Sequence, residues 1–93
     1  MNRAVSVRVR VMPDHWFSPP VRVEFGRTGQ SVAVSSAEKA AELLLDERWP
    51  KIDTRRHVAA RKACLAVLEG IKEARHARKP FEDAAREADI LIS

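Results

Sequence analysis

The sequence has only one cysteine, Cys64, and this scarcity excludes several kinds of small protein. A single thiol cannot form a disulfide within the chain, and it cannot provide a metal site by itself. The three histidines, His15, His57 and His76, have no histidine or cysteine three or four residues away, so a zinc-type ligand spacing is missing. We therefore expect no disulfide framework, no metal and no cofactor.

The chain also lacks a long hydrophobic segment. Its first twelve residues, MNRAVSVRVRVM, alternate between apolar and charged or polar types, which does not match the apolar region of a secretory signal. No stretch approaches the roughly 20 apolar residues that cross a bilayer. The sequence therefore predicts a cytoplasmic protein that does not enter a membrane.

Size and charge set broad limits on the class of protein. The 93 residues, of which 45% are hydrophobic, fit one globular domain over residues 1–93. Seventeen basic residues against thirteen acidic ones give a net charge of +4. This modest excess permits a polyanionic partner but does not require one.

The first part of the chain has the pattern of strands. Apolar residues alternate with polar ones over Val5–Met12, Val21–Phe25 and Gln30–Val34, which predicts three strands. Three prolines within Pro13–Pro20 predict a loop, and the two glycines of Gly26–Gly29 predict a tight turn. Short connections favour an antiparallel meander.

A first helix is expected after these strands. Ser35 and Glu38 have the spacing of a capping box, in which each side chain accepts a backbone N–H at the helix start. The apolar periodicity predicts that this helix runs to about Arg48. Pro50 disfavours a helical conformation at the preceding residue and ends the helix there.

Two further helices complete the predicted fold. Asp53 or Thr54 can cap a long helix over Arg55–Arg78, in which Gly70 costs about 1 kcal/mol unless another element packs closely against it. Pro80 suits the first turn of a last helix, whose apolar stripe continues to the end of the chain. The expected fold class is α+β, with two layers: a three-stranded antiparallel meander packed by three helices.

Several short motifs occur in a distinctive order. They are P-V at residues 20–21, W-P at 49–50, A-x-x-A-C-x-x-x-L-x-G at 60–70 and A-R-x-x-F-x-x-A-A-x-E-A at 77–88. In this order and spacing they resemble a family of short bacterial proteins known as domain of unknown function 982, over residues 17–90. The resemblance implies a compact α+β fold of two or three strands and helices, and it carries over no activity or catalytic residue. Family members often have a glycine in the loop after W-P, where this sequence reads K-I-D-T.

Cys64 and His57 are the most reactive pair of side-chain types in the sequence. Seven residues apart on one helix, they lie about 10.5 Å apart along its axis, whereas a catalytic thiol–imidazole pair must approach to about 3 Å. We expect Cys64 to be a small buried apolar group and His57 to be a partly exposed polar one. Since no glycine-rich phosphate loop is present either, we predict that the protein is not an enzyme.

A few large apolar residues fall at positions where a partner could reach them. Trp16 and Phe17 lie in the predicted proline-rich loop, where aromatic rings either cover the core or meet a partner. Val58 and Leu65 lie seven residues apart on the polar side of the long helix, where they either dock a second subunit or are covered by the N-terminal segment. The candidate contact residues are Trp16, Phe17, Val58, Arg61, Lys62 and Leu65.

These residues suggest a small non-catalytic binding or regulatory module that self-associates as a homodimer or binds another protein. The main alternative is a nucleic-acid-binding protein that uses Arg8, Arg10 and Arg22 on the outer face of the first two strands. It predicts an affinity that falls steeply with salt. The third alternative, an enzyme, requires a reactive Cys64.

Overall fold

The computed structural model describes residues 15–25 and 29–92 and confirms an α+β fold with three helices. Within these residues the sheet has two antiparallel strands, where three were predicted. The predicted strand over Val5–Met12 lies outside the described residues. The observed elements, in chain order, are β1 (Trp16–Phe25), β2 (Gln30–Ser36), α1 (Ala37–Leu44), α2 (Arg55–Leu68) and α3 (Arg75–Glu87).

Strand β1 begins earlier than the sequence pattern indicates. Its regular part pairs Val21 with Val34 and Phe25 with Gln30, as expected for a short hairpin. The expectation of a loop up to Pro20 is wrong, because β1 extends back to Trp16. The register is irregular between Trp16 and Val21, and prolines are tolerated there because a regular ladder of N–H bonds is not formed.

Residues 90–92 pair with the edge of β1 opposite β2. The sequence predicted that they continue the third helix, and this prediction is wrong. Leu91 forms an isolated antiparallel bridge with Val23. On either side of it, the Ile92 N–H donates to the Arg22 carbonyl and the Glu24 N–H donates to the Ile90 carbonyl, each at 2.8 Å. These bonds attach the chain after α3 to the sheet.

Helix α1 is shorter than predicted at both ends. Its N-cap is Ser36, not Ser35, and the Ser36 hydroxyl accepts a backbone N–H at 3.1 Å. The helix ends at Leu44, not at Arg48, because the Asp46 carboxylate accepts the backbone N–H of Arg48 at 2.8 Å and its Nε at 2.9 Å. These bonds stabilise a turn in competition with the helix. They also lower the pKa of the Asp46 carboxyl to about 2.

The long helix predicted over Arg55–Arg78 is in fact two helices. Helix α2 ends at Leu68 and α3 begins at Arg75, with Gly70 at φ +80° between them. A Cβ added at Gly70 would meet no atom within 4 Å, so the glycine is not needed for close packing as the sequence suggested. It is needed because a positive φ reverses the chain direction at the end of α2.

Helix α3 contains Pro80 in its interior, although Pro80 was expected in the first turn of the last helix. A proline at this position removes one hydrogen bond of the helix. The apolar face of α3 offsets that loss, because Phe81 and Ala85 are fully buried. Arg78 adds a link to the sheet by donating from Nε to the Pro19 carbonyl at 2.7 Å.

Aromatic rings form the centre of the core between the sheet and the helices. The Trp49 ring contacts the Phe81 ring with centroids 5.7 Å apart and the Phe25 ring with centroids 6.4 Å apart. The Phe17 ring also contacts the Phe81 ring, with centroids 6.3 Å apart. Trp49 therefore closes the joint between α1 and α2.

His57 is buried in this core, so the prediction of a partly exposed side chain is wrong. Its Nε2 donates to the Leu44 carbonyl at 2.8 Å, and its Nδ1 accepts the Asp53 N–H at 3.1 Å. Because the carbonyl can only accept and the amide can only donate, the hydrogen is on Nε2. One ring thus fixes the end of α1 and the start of α2, where Thr54 is the N-cap.

We predict that His57→Ala lowers the free energy of unfolding by about 2–4 kcal/mol, because it leaves a cavity and two unpaired backbone groups in the core. Urea unfolding followed by circular dichroism measures this change. His76→Ala on the exposed face of α3 is the matched control and should change stability by less than about 0.5 kcal/mol. A His57→Ala protein as stable as this control would contradict the assigned role.

We predict that Gly70→Ala destabilises the protein by about 1 kcal/mol, because alanine strains a backbone at positive φ. The opposite sign is expected if residues 55–78 form one helix, since alanine is favoured over glycine inside a helix. The same urea titration therefore distinguishes the two architectures. A stabilised Gly70→Ala protein would contradict the observed break.

Candidate functional site

Cys64 is fully buried on the core side of α2, as the sequence predicts. Burial raises the pKa of its thiol to about 12, because an apolar environment disfavours the thiolate. The thiolate is the nucleophilic form, so the thiol is held in its unreactive state at neutral pH. This environment gives no support to the alternative of a cysteine-dependent enzyme.

Metal binding and membrane crossing, both considered from the sequence, can be compared with the described residues. Within residues 15–25 and 29–92, no group of three histidine, cysteine, aspartate or glutamate side chains is placed to hold a metal ion. In the same ranges, no helix is both long and apolar enough to cross a bilayer.

Helix α2 presents two different faces. Its core face carries His57, Ala60, Cys64 and Val67, all buried. On the outward side Leu65 keeps 54% of its surface exposed, and Val58, two turns earlier, is partly buried. The structure therefore places Leu65 at the surface as expected and leaves Val58 partly accessible beside it.

The charges on the outward side of α2 are mainly positive. Arg55 and Arg56 occupy its first turn, which has no acidic residue, although positive charge near a helix N-terminus is unfavourable. Arg61 lies 3.5 Å from the Asp53 carboxylate in an exposed pair. Arg55 and Lys62 have no ion-pair partner in the described part of the chain. Helix stability alone does not explain this concentration of cations.

The structure separates the two aromatic candidates from the α2 surface. Phe17 is only 4% exposed and packs on Phe81, so the prediction that it is a contact residue is wrong and the alternative, that it covers the core, is correct. Trp16 is half exposed, but it pairs with Ser36 at the start of α1. Strand β1 packs chiefly on β2 and α3, so Trp16 is not part of the surface formed by Leu65.

The candidate nucleic-acid residues are only partly within the described chain. Arg22 is exposed on the outer face of β1, as predicted, and Arg8 and Arg10 lie outside the described residues. Glu24 follows on the same face of the strand, so the described part of this face combines one cation with one carboxylate. That arrangement is not the concentrated basic patch typical of nucleic-acid binding.

A groove of about 310 Å³ at the junction of α2 and α3 was missed by the sequence analysis. In one continuous helix, Lys62 and Lys72 would be about 15 Å apart along the axis. The break at Gly70 folds the chain back, so that both lysines line the same groove. The one feature of the sequence that could have indicated this groove is Gly70, because a glycine within a helical pattern can mark the end of a helix. The lining residues are Lys62, Ala63, Ala66, Lys72 and His76.

We predict that Cys64 of the folded protein does not react with a water-soluble thiol reagent on the timescale of minutes, because it is buried and protonated. Mass spectrometry after timed labelling measures the modified fraction. The same protein unfolded in guanidinium is the control and should be labelled completely. Rapid labelling of the native protein would contradict the assignment and revive the enzyme alternative.

The comparisons with known proteins give one match. The family model described as "Protein of unknown function (DUF982)" matches residues 19–92, which is most of the chain and includes all three helices. Searches of the curated proteins and of the solved structures find no match. The match also agrees with the motif order described above, and the chain therefore belongs to the DUF982 family.

Proposed function

We propose that this protein is a non-catalytic interaction module that forms a homodimer through the outward side of α2. The observation that carries the proposal is the exposure of Leu65, an aliphatic side chain on the outward side of α2, where several charged residues surround it. Val58 and Leu65 are seven residues apart, and this spacing places them on one line along the helix. Such a line is typical of a surface that packs against a second helix.

The contact surface is the α2 seam, which we define by its heptad positions. Three of its residues are apolar, with Leu65 exposed and Val58 and Leu68 partly buried, and the fourth is the cation Arg61. Lys62 borders the seam. The seam residues are Val58, Arg61, Leu65 and Leu68.

The charges favour an antiparallel pairing of the two α2 helices about a two-fold axis. With Lys62 near the axis, Arg55 at one end of the seam lies opposite Glu69 of the partner subunit, and the symmetry repeats the pair at the other end. Neither Arg55 nor Glu69 has an ion pair in the described part of its own chain. A parallel pairing would instead oppose each of these charges to its own copy. Only the antiparallel arrangement satisfies them.

The small number of apolar side chains in the α2 seam sets an upper limit on the affinity of the dimer. Each copy contributes two main apolar side chains, and burying such a side chain fully gives about 1.5–3 kcal/mol. The loss of rotational and translational freedom on association opposes this gain by about 4–15 kcal/mol. Lys62 also faces its own copy at the axis. We therefore expect a dissociation constant no tighter than about 1 μM.

We predict that the mass measured by sedimentation velocity rises from monomer to dimer as the concentration increases from micromolar to about millimolar. Leu65→Glu should abolish this rise, because it places a carboxylate in the seam. Leu45→Glu is the matched control, since Leu45 is 71% exposed and lies outside α2. A wild-type protein that stays monomeric would refute the proposal, as would equal effects of the two variants.

We also predict a charge-reversal pattern specific to the antiparallel arrangement. Arg55→Glu alone and Glu69→Arg alone should each weaken self-association, because each creates two like-charge contacts across the axis. An equimolar mixture of the two variants should associate again, because every contact then joins opposite charges. These effects should shrink at high salt.

The nucleic-acid alternative predicts a different result in the same samples. Under this alternative, the ratio of the protein's absorbance at 260 and 280 nm would indicate co-purified nucleic acid at low salt. The same ratio would indicate that the nucleic acid is lost at high salt. A monomer with this behaviour would favour Arg8, Arg10 and Arg22 over the α2 seam.

A further inference from the structure

The groove between α2 and α3 is lined by two lysines and a histidine. Lys62 comes from the middle of α2, Lys72 from the connecting segment and His76 from the first turn of α3. Neither lysine has an ion-pair partner in the described part of the chain. Glu73, the acidic residue nearest in sequence to Lys72, is engaged with Arg75 at 2.8 Å. The cations that line the groove are therefore available to a ligand.

Backbone hydrogen bonds fix the chain path around the groove. The Ala66 carbonyl accepts the N–H of Ile71 at 2.9 Å and the N–H of Lys72 at 3.2 Å. This shared acceptor fixes Lys72 directly beside Ala66 at the end of α2. The first turn of α3 is likewise closed by a bond from the His76 N–H to the Glu73 carbonyl at 2.9 Å. The turn therefore fixes the backbone positions from which the groove is lined.

The lining combines two kinds of surface. Ala63 and Ala66 are small apolar residues of α2, and the cationic side chains stand around them. The volume of about 310 Å³ lies at the lower end of the range for small-molecule sites. An apolar surface with cations around it matches a ligand that has an oxyanion and a compact apolar body.

We propose that this groove binds a small organic anion, with Lys62, Lys72 and His76 contacting the oxyanion and the two alanines contacting the apolar body. The site goes beyond the proposed dimer and shares only Lys62 with its border, because Ala63 and Leu65 point about 160° apart around the helix. A protein that remains monomeric can therefore still have this site. The ligand class is an organic phosphate or an organic carboxylate.

The test uses phenyl phosphate, benzoate and inorganic phosphate as probes. Each is titrated into isotope-labelled full-length protein, and the methyl signals of Ala63 and Ala66 and the ring signals of His76 are followed by NMR. We expect saturable shifts with phenyl phosphate or benzoate, and the tighter of the two identifies the oxyanion as a phosphate or a carboxylate. We expect inorganic phosphate to bind about tenfold more weakly than the tighter organic probe, because it cannot contact the alanines.

Two variants separate a built site from general attraction to a basic protein. Lys62→Met/Lys72→Met should weaken binding of the tighter organic probe by at least about tenfold. Arg22→Met/Lys51→Met removes two positive charges, as the first variant does, but from exposed positions outside the groove. It should leave the affinity for the probe unchanged within about twofold. Ala66→Leu keeps every charge but fills the groove, and it should also weaken binding.

Three results would overturn the proposal. They are the absence of saturable shifts, an equal loss of affinity in the two double variants, and an affinity for inorganic phosphate equal to that for the organic probes. Circular dichroism of each variant establishes that it is folded. Arg55→Glu, which weakens the proposed dimer and lies two helical turns from Lys62, should bind the organic probe like the wild-type protein, so failure of the dimer and failure of this site give different results.

Discussion

The arrangement of the helices depends on the hydrogen bonds of one buried ring. His57 donates to the carbonyl at the end of α1 and accepts from the amide of Asp53 just before α2. Trp49 packs against the same ring, with centroids 6.0 Å apart. These contacts determine how α2 is rotated about its own axis. They therefore determine that Cys64 faces the core and that Leu65 faces outward.

The second constraint is the break between α2 and α3. It begins at Gly70, whose positive φ ends α2, and it lets α3 pack back along α2. The hydroxyl of Thr54 at the start of α2 then reaches Glu87 at the end of α3, at 2.7 Å. The same break produces the groove beside Lys62. One backbone position thus supports both the packing of the core and the candidate ligand site.

The sequence predicted the parts of this structure that depend on local pattern. These include the hairpin from Val21 to Val34, the number of helices and the burial of Cys64. Of the two caps that the sequence offered for α2, Asp53 and Thr54, the structure uses Thr54. Helical periodicity also placed Leu65 on the polar side of the long helix, and the side chain is exposed.

The errors arose where tertiary contacts overrule local preference. A histidine in a first helical turn beside two arginines looks exposed, and only the backbone groups of distant residues explain why His57 is buried. A glycine within an apolar periodicity looks like a helix interior, and Gly70 is instead a reversal of the chain. The groove was missed for this reason, since Lys62 and Lys72 meet only after that reversal.

The most direct test of the proposed dimer is a distance between spin labels on α2, measured by electron paramagnetic resonance. Cysteines introduced singly at Lys62 and at Glu69 can be labelled selectively because native Cys64 is buried. The antiparallel arrangement predicts a short distance between the labels at position 62 and a distance of at least about 20 Å between the labels at position 69, since each label there lies seven residues from the axis. Equal short distances at both positions would contradict the antiparallel pairing, and the absence of any distance between subunits would contradict the dimer.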